Sequence, residues 1–280
     1  MVLFFDSEAQ YQHIAHQGKI EYEVKINRFE RARKLLDAQA SSTKYRDYVL
    51  SLQNNRFLMR NYEMDFDRKR SLYALTDENQ SQDFIDLLIG IPTTAVFRDM
   101  ETDSIFVKKQ FGEEEFLIID KPERIKWKYT DERMEIQGYE CRRANGLYMD
   151  SIYVVAFYCP EIDVAGGPAV FFGLPGMILG LSVPEEHIHI FATEVDLNFT
   201  VKSKTSSLPI GPNRMTFSSF QAYLKSLLGD RFAEDNGRSP KEASVFEPNV
   251  WTIRLIKPGH STDPTGSGIL LSMKHIPADQ

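Results

Sequence analysis

Along GKIEYEVKIN the apolar residues Ile20, Tyr22, Val24 and Ile26 fall on alternate positions. That period of two is the signature of a half-buried strand, and it opens a sheet. In the charge-rich stretch that follows, Phe29, Ala32, Leu35 and Leu36 and then Tyr48, Val49 and Leu52 recur at helical spacing. One or two surface helices are expected there, interrupted near residues 41–43. Alternation returns at Leu58, Arg60, Tyr62, Met64 and Phe66, and the DRKR run at 67–70 leads into Leu72 and Tyr73 as a second arm, predicting a hairpin. The segment QDFIDLLIGIP, residues 82–92, predicts a short helix stopped by Gly90 and Pro92.

From Asp103 onward the pattern is sustained β. Short runs at 104–111, 114–120, 125–130, 135–144 and 150–159 are separated by turn signals at Gly112, Pro122, Asp131 and Asn145-Gly146, which predicts an antiparallel meander. Two further strands are expected at 177–183 and 187–199. Thr216 then precedes Phe217, Phe220, Leu224 and Leu228, an N-cap and an apolar helix stripe. No repeat and no strand-helix-strand rhythm is visible. The expected fold is α+β and predominantly antiparallel β: a curved, half-barrel-like meander sheet with a few helices packed on it. A single β-rich domain spans 18–234, and residues 1–17 and 235–280 are peripheral, loop-rich extensions.

Composition narrows this picture. With 280 residues, 42% of them hydrophobic, the chain can bury a substantial core. Forty acidic against 33 basic residues, without long like-charge blocks, argue against a nucleic-acid footprint. No window approaches the roughly 18 uninterrupted apolar residues that a spanning helix needs. The opening MVLFFDSEAQYQHIAHQGK lacks the basic and long apolar regions of a signal peptide, so either the protein stays in the cytoplasm or an export signal is absent from this chain. The two cysteines, Cys141 and Cys159, form no CxxC. In a hairpin turning at Asn145-Gly146, Cys141 faces Ile152 or Tyr153 and Cys159 lies several residues away; a disulfide is possible only outside the cytoplasm.

The least ordinary stretch is FFGLPGMILGL, residues 171–181, preceded by Gly166, Gly167 and Pro168. Leu174-Pro175-Gly176-Met177 fits a type II turn, with proline setting φ at the second position and glycine accepting positive φ at the third. Its apolar flanks imply a turn packed on the core, where Gly173 and Gly176 admit a close backbone. YECRRA at 139–144, the tyrosine-rich strand ending in FYCPEIDV, and then Gly167, Pro168, Phe171, Gly173, Leu174, Pro175, Gly176, Ile178 and Leu179 in order resemble the GLPGLI family, also called Porph_ging, of exported Bacteroidetes proteins. GKIEYEV, SLYAL and IKWKYTDERMEIQGYEC are also similar to it, so the resemblance runs from 18 to about 200. Met177 stands where leucine is usual, a volume-conserving change. Cys159 stands where threonine is more familiar, and Ala169-Val170 replace aromatic or basic residues. The resemblance implies a periplasmic or outer-membrane-associated location and brings no catalytic residue or cofactor. Its strand-rich pattern is similar to the open curved sheets of lipoprotein carriers, an analogy of fold alone.

Chemistry-bearing patterns are sparse. GxGxxG, Walker A, HExxH and GxSxG are all missing. His187 and His189 on one strand face, with Glu185 or a remote carboxylate, are the best metal candidates, although solvent-facing strand histidines are more often unliganded. Asp65 and Asp67 beside Arg68, Lys69 and Arg70 fit a solvated hairpin tip better than a paired-acid site. Trp127, Tyr129, Tyr148, Tyr153 and Tyr158 are candidate walls of a sugar or apolar-ligand cleft, or else core and cross-strand pairs. The expected function is that of a non-enzymatic envelope protein binding a lipidic or peptide ligand or a protein partner, without a cofactor. The alternatives are a metal-assisted hydrolase using His187 and His189 and a structural subunit of an envelope complex.

Overall fold

The structure is a computed structural model that describes residues 15–37, 47, 49–76, 95–111, 114–199, 211–220, 222–223, 246–248 and 253–255. Among these residues twelve strands form one open sheet: β1 (Gly18–Asn27), β2 (Phe57–Phe66), β3 (Arg70–Leu75), β4 (Ala95–Asp99), β5 (Ser104–Phe111), β6 (Glu114–Asp120), β7 (Lys126–Ile136), β8 (Tyr139–Tyr148), β9 (Ile152–Cys159), β10 (Met177–Val183), β11 (Ile188–Asp196) and β12 (Arg214–Met215). Their order is β12-β6-β5-β4-β3-β2-β1-β11-β10-β9-β8-β7. Two antiparallel meanders, β1 to β6 and β7 to β11, join where β1 pairs with β11. Strand β12 lies parallel to β6, so the sheet is mixed although predominantly antiparallel. The helix α1 (Arg28–Asp37) follows β1. Within the tail, β13 (Phe246–Pro248) pairs with β14 (Ile253–Leu255), a feature the loop-rich composition does not announce.

The alternation read from the sequence is the alternation of burial. Ile20, Tyr22, Val24 and Ile26 of β1 are all buried, as are Tyr62, Met64 and Phe66 of β2. The rings of Tyr62 and Tyr73 stack at 4.5 Å, and Tyr22 meets Tyr73 edge-on at 5.9 Å. These cross-strand aromatic contacts pin the register of β1 to β3. Buried Arg31 of α1 reaches the 3-10 turn Pro184–Glu186, 3.3 Å from the Glu186 carboxylate and donating to the Glu186 carbonyl at 3.1 Å. Thr216 caps the helical turn at 217–220 as expected, its Oγ1 accepting from the Ser219 N–H at 3.2 Å. The expected helix at 82–92 lies outside the described residues, as do Leu224 and Leu228.

Three boundaries differ from the sequence expectation. Strand β8 runs straight through Asn145 and Gly146. The tight turns fall instead at Gln137-Gly138 (φ 51° and 81°), the two-residue loop between the paired Ile136 and Tyr139, and at Met149-Asp150 (φ 50° and 56°), within the three-residue loop between the paired Tyr148 and Ile152. Gly146 has a packing role: a Cβ there would lie 2.6 Å from Ile125 and 2.8 Å from the Trp127 ring. Strand β7 continues through Asp131 by means of a register shift between Tyr129 and Arg133, where a turn was expected. Strand β4 was not anticipated. Its burial follows no period of two because Val96 and Phe97 are both covered.

Candidate binding cavity

Residues 160–176 leave β9 and return to β10 without regular secondary structure, yet most of their side chains are buried. Buried backbone must find partners. Part of the demand is met by very local bonds from N–H groups to carbonyls two residues back, in γ-turns: Val164 to Ile162 (2.8 Å), Gly166 to Val164 (2.7 Å) and Gly176 to Leu174 (2.8 Å). The Met177 N–H donates to the Ile162 carbonyl at 3.1 Å, so the 4→1 bond of the expected type II turn is absent. Positive φ at Gly176 does occur, at 142°, and a Cβ there would lie 2.2 Å from the Cys159 carbonyl oxygen. At Gly167 a Cβ would lie 2.5 Å from the Phe171 carbonyl oxygen and 2.9 Å from Ile178 Cβ. Two glycines of the motif are therefore required by close backbone approach.

This segment is clamped from widely separated strands. Arg98 of β4 donates to the Ala165 carbonyl at 2.9 Å, and its guanidinium lies 3.6 Å from the centre of the Phe172 ring. Burial, and then the nearby Arg124, push the Arg98 guanidinium down to about 10, with Asp103 opposing them. Trp127 Nε1 of β7 donates to the Phe172 carbonyl at 3.0 Å. Tyr148 of β8 meets Phe171 edge-on at 5.5 Å, and the buried Tyr22 hydroxyl donates to the Ile178 carbonyl at 2.7 Å. Strands from both meanders thus converge on one irregular segment.

Beside it lies a cavity of about 240 Å³. Ile105 and Val107 of β5, Ile118 of β6 and Val170 of the clamped segment supply apolar walls, and Tyr148 closes one side. Burial, and next Glu123, push the Tyr148 phenol up, so it stays protonated. Asp120, Lys121, Pro122, Glu123 and the helical start at Phe217 and Ser218 make the rim. Asp120 fixes that rim by accepting from the Phe217 N–H at 3.1 Å and the Lys121 N–H at 2.9 Å. Seven strands separate β5 from β8 in the sheet order, yet both border the cavity, which requires the sheet to curl. An apolar interior with a few polar groups at the mouth is the usual make-up of a small-molecule site.

The family model described as "Protein of unknown function (Porph_ging)" matches residues 145–180. The protein carries a Porph_ging segment. It runs from the second half of β8 through β9 and the clamped loop into β10, and it contributes Tyr148 and Val170 to the cavity. No curated protein matches the chain. Two solved structures of PNGF-II, in C2 and P21 space groups, are similar to it at TM-scores of 0.47 and 0.45 with 11% and 12% identity, covering 74% of this chain. The chain spans about a third of their length, at 32% and 33%.

The sequence-derived candidates scatter around this site. Of the five aromatic residues, Tyr148 alone lines the cavity, while Trp127 clamps the Porph_ging segment from outside it. Tyr129, 56% exposed, packs edge-on against buried Tyr158 at 6.2 Å, and Tyr153 sits across from Leu147 on the surface. His187 ends the 3-10 turn at φ 53°, outside β11. His189 Nδ1 lies 3.1 Å from Ser182 Oγ, and burial, and then Lys25, push its imidazole down from 6.5. Among the described residues no group of three or more His, Cys, Asp or Glu side chains is placed to hold a metal ion. Asp67 organises the β2–β3 turn, accepting from the Lys69 and Arg70 N–H groups, and Asp65 is buried. Ile105, Val107, Ile118 and Val170 were missed as site residues because in sequence they are indistinguishable from core.

Proposed function

We propose that the protein is a non-enzymatic cell-envelope protein, periplasmic or outer-membrane associated, that binds a small apolar ligand bearing a polar end. The cavity carries this reading: apolar walls from β5, β6 and the Porph_ging segment lie under a rim of Asp120, Lys121 and Glu123. At about 240 Å³ it is smaller than a drug-sized pocket of roughly 300–1,000 Å³, so it suits a short acyl chain or the end of a longer one. Each methylene taken into such walls contributes about 0.8 kcal/mol. Asp120, Lys121 and Glu123 at the mouth offer a ligand's polar end both donors and acceptors. The envelope location rests on the family resemblance.

The test is a fluorescence titration with 1-anilinonaphthalene-8-sulfonate, competed by octanoate, on the wild type and on Ser218→Trp. Ser218 is an exposed rim residue, so a bulky ring there obstructs the mouth without touching the core. Saturable binding that octanoate displaces, and that weakens about tenfold or more in the variant, is the expected result. Equal binding by the two proteins, or no saturable phase in the wild type, would remove the proposal.

A further inference from the structure

The turn at Met149-Asp150 changes the relation between the two cysteines. Strands β8 and β9 pair from Tyr148↔Ile152 to Arg142↔Tyr158 without a register shift. One more step along both strands brings Cys141 opposite Cys159. Residues directly opposed in an antiparallel pair have Cα atoms about 4.5–5.5 Å apart, within the roughly 4.4–6.8 Å span of a disulfide. Both side chains are fully buried and both thiols are free. The neighbouring strands continue the row with buried Met177 opposite Cys159 and the more exposed Met134 opposite Cys141.

We propose that Cys141 and Cys159 are a disulfide site, joined across β8 and β9 when the chain folds in the presence of a disulfide oxidant. The Cys141 S–H donates to the Tyr139 carbonyl at 3.6 Å, and the contact between the two thiols holds Cys159 down against its burial while it and burial push Cys141 up. In the opening chain either thiolate attacks one sulfur of the oxidant's disulfide and expels a thiolate, leaving a mixed disulfide on that cysteine. The other cysteine then loses its proton and attacks the protein sulfur of the mixed disulfide, expelling the second oxidant thiol. Two protein thiols are oxidised, one oxidant disulfide is reduced to two thiols, and no other co-reactant is consumed. Burial confines the reaction to folding or local opening, and an oxidising compartment preserves the product.

The experiment is refolding of the full chain from denaturant in oxidised glutathione, followed by alkylation under denaturing conditions and intact-mass measurement. The chain contains only these two cysteines, so the products are few. We expect a monomer about 2 Da lighter that takes up no alkyl group, with a thermal midpoint about 6–12 °C above that of the reduced protein. Cys141→Ser and Cys159→Ser should each stop at a single glutathione adduct or one free thiol. Two alkylated thiols in the refolded wild type, a terminal mixed disulfide, or a disulfide-linked dimer would each overturn the assignment.

Discussion

Gly176→Ala tests the physical account of the Porph_ging segment most directly, because Gly138 supplies a matched control. Both glycines have positive φ, 142° and 81°, so alanine is strained at either site. At Gly138 an added methyl meets nothing within 4 Å. The cost there is the backbone penalty alone, about 1–2 kcal/mol. At Gly176 the same methyl would lie 2.2 Å from the Cys159 carbonyl oxygen, 2.7 Å from its carbon and 3.0 Å from Pro160 Cα, all backbone atoms. Reaching even 3.0 Å from the oxygen requires a shift of roughly 0.8 Å in a segment clamped by Arg98 and Trp127 and followed directly by β10, where Tyr22 holds the Ile178 carbonyl. Overpacking of this kind costs about 1–3 kcal/mol beyond the backbone term, so Gly176→Ala should lose about 2–5 kcal/mol in all. Equilibrium urea unfolding followed by tryptophan fluorescence, with Trp127 seated on Phe172, measures both variants. Equal losses at the two glycines would refute close approach as the reason for glycine at 176.

Arg98→Met should cost about 1–3 kcal/mol in the same assay by removing the bond to Ala165 and the stacking on Phe172, and Arg98→Lys should recover little because an ammonium lacks the planar face. Glu186→Ala should cost about 3–5 kcal/mol by leaving buried Arg31 without that carboxylate, whereas Arg31→Met with Glu186→Leu should be close to neutral; a double variant as unstable as Glu186→Ala would refute this. Burial pushes the Asp99 carboxyl up, but the Thr102 and Glu101 N–H groups and Arg70 outweigh it, so its folded value lies below 3.8. Its stabilisation is thus complete above the unfolded value and is lost as pH falls through the lower, folded one. Acid titrations of stability should show a shallower loss below about pH 4 for Asp99→Asn than for the wild type, and parallel curves would contradict the assignment.

Period-two alternation made β1, the first part of β11 and much of β2 legible because one face lies against the core, whereas β6, β9 and β10, with three to five consecutive buried residues, were legible as short apolar runs between turn signals. Strand β4 was not, since five residues with two adjacent buried positions carry no period. The Asn145-Gly146 signal misled because Gly146 is needed to seat the Trp127 ring, a demand that comes from a neighbouring strand. The cavity was legible only at Tyr148. Its other walls come from residues 105, 107, 118 and 170, brought together by curling of the sheet, which no local pattern encodes. The Porph_ging motif was visible as a buried turn, but its hydrogen bonding was not, because Ile162 rather than Leu174 takes the Met177 N–H.

The place of β1 between β2 and β11 has a temporal consequence. On a ribosome, β1 can pair with β2 as soon as residue 66 has emerged, but its other edge waits for residues 188–196. At about 5–20 residues per second that wait is on the order of 6–25 s, long compared with hairpin formation in microseconds. Throughout it a ten-residue strand rich in isoleucine, tyrosine and valine presents unpaired amides to any other strand nearby. Nascent chains held short of residue 188 should therefore depend on chaperone cover in a way that the completed sheet does not.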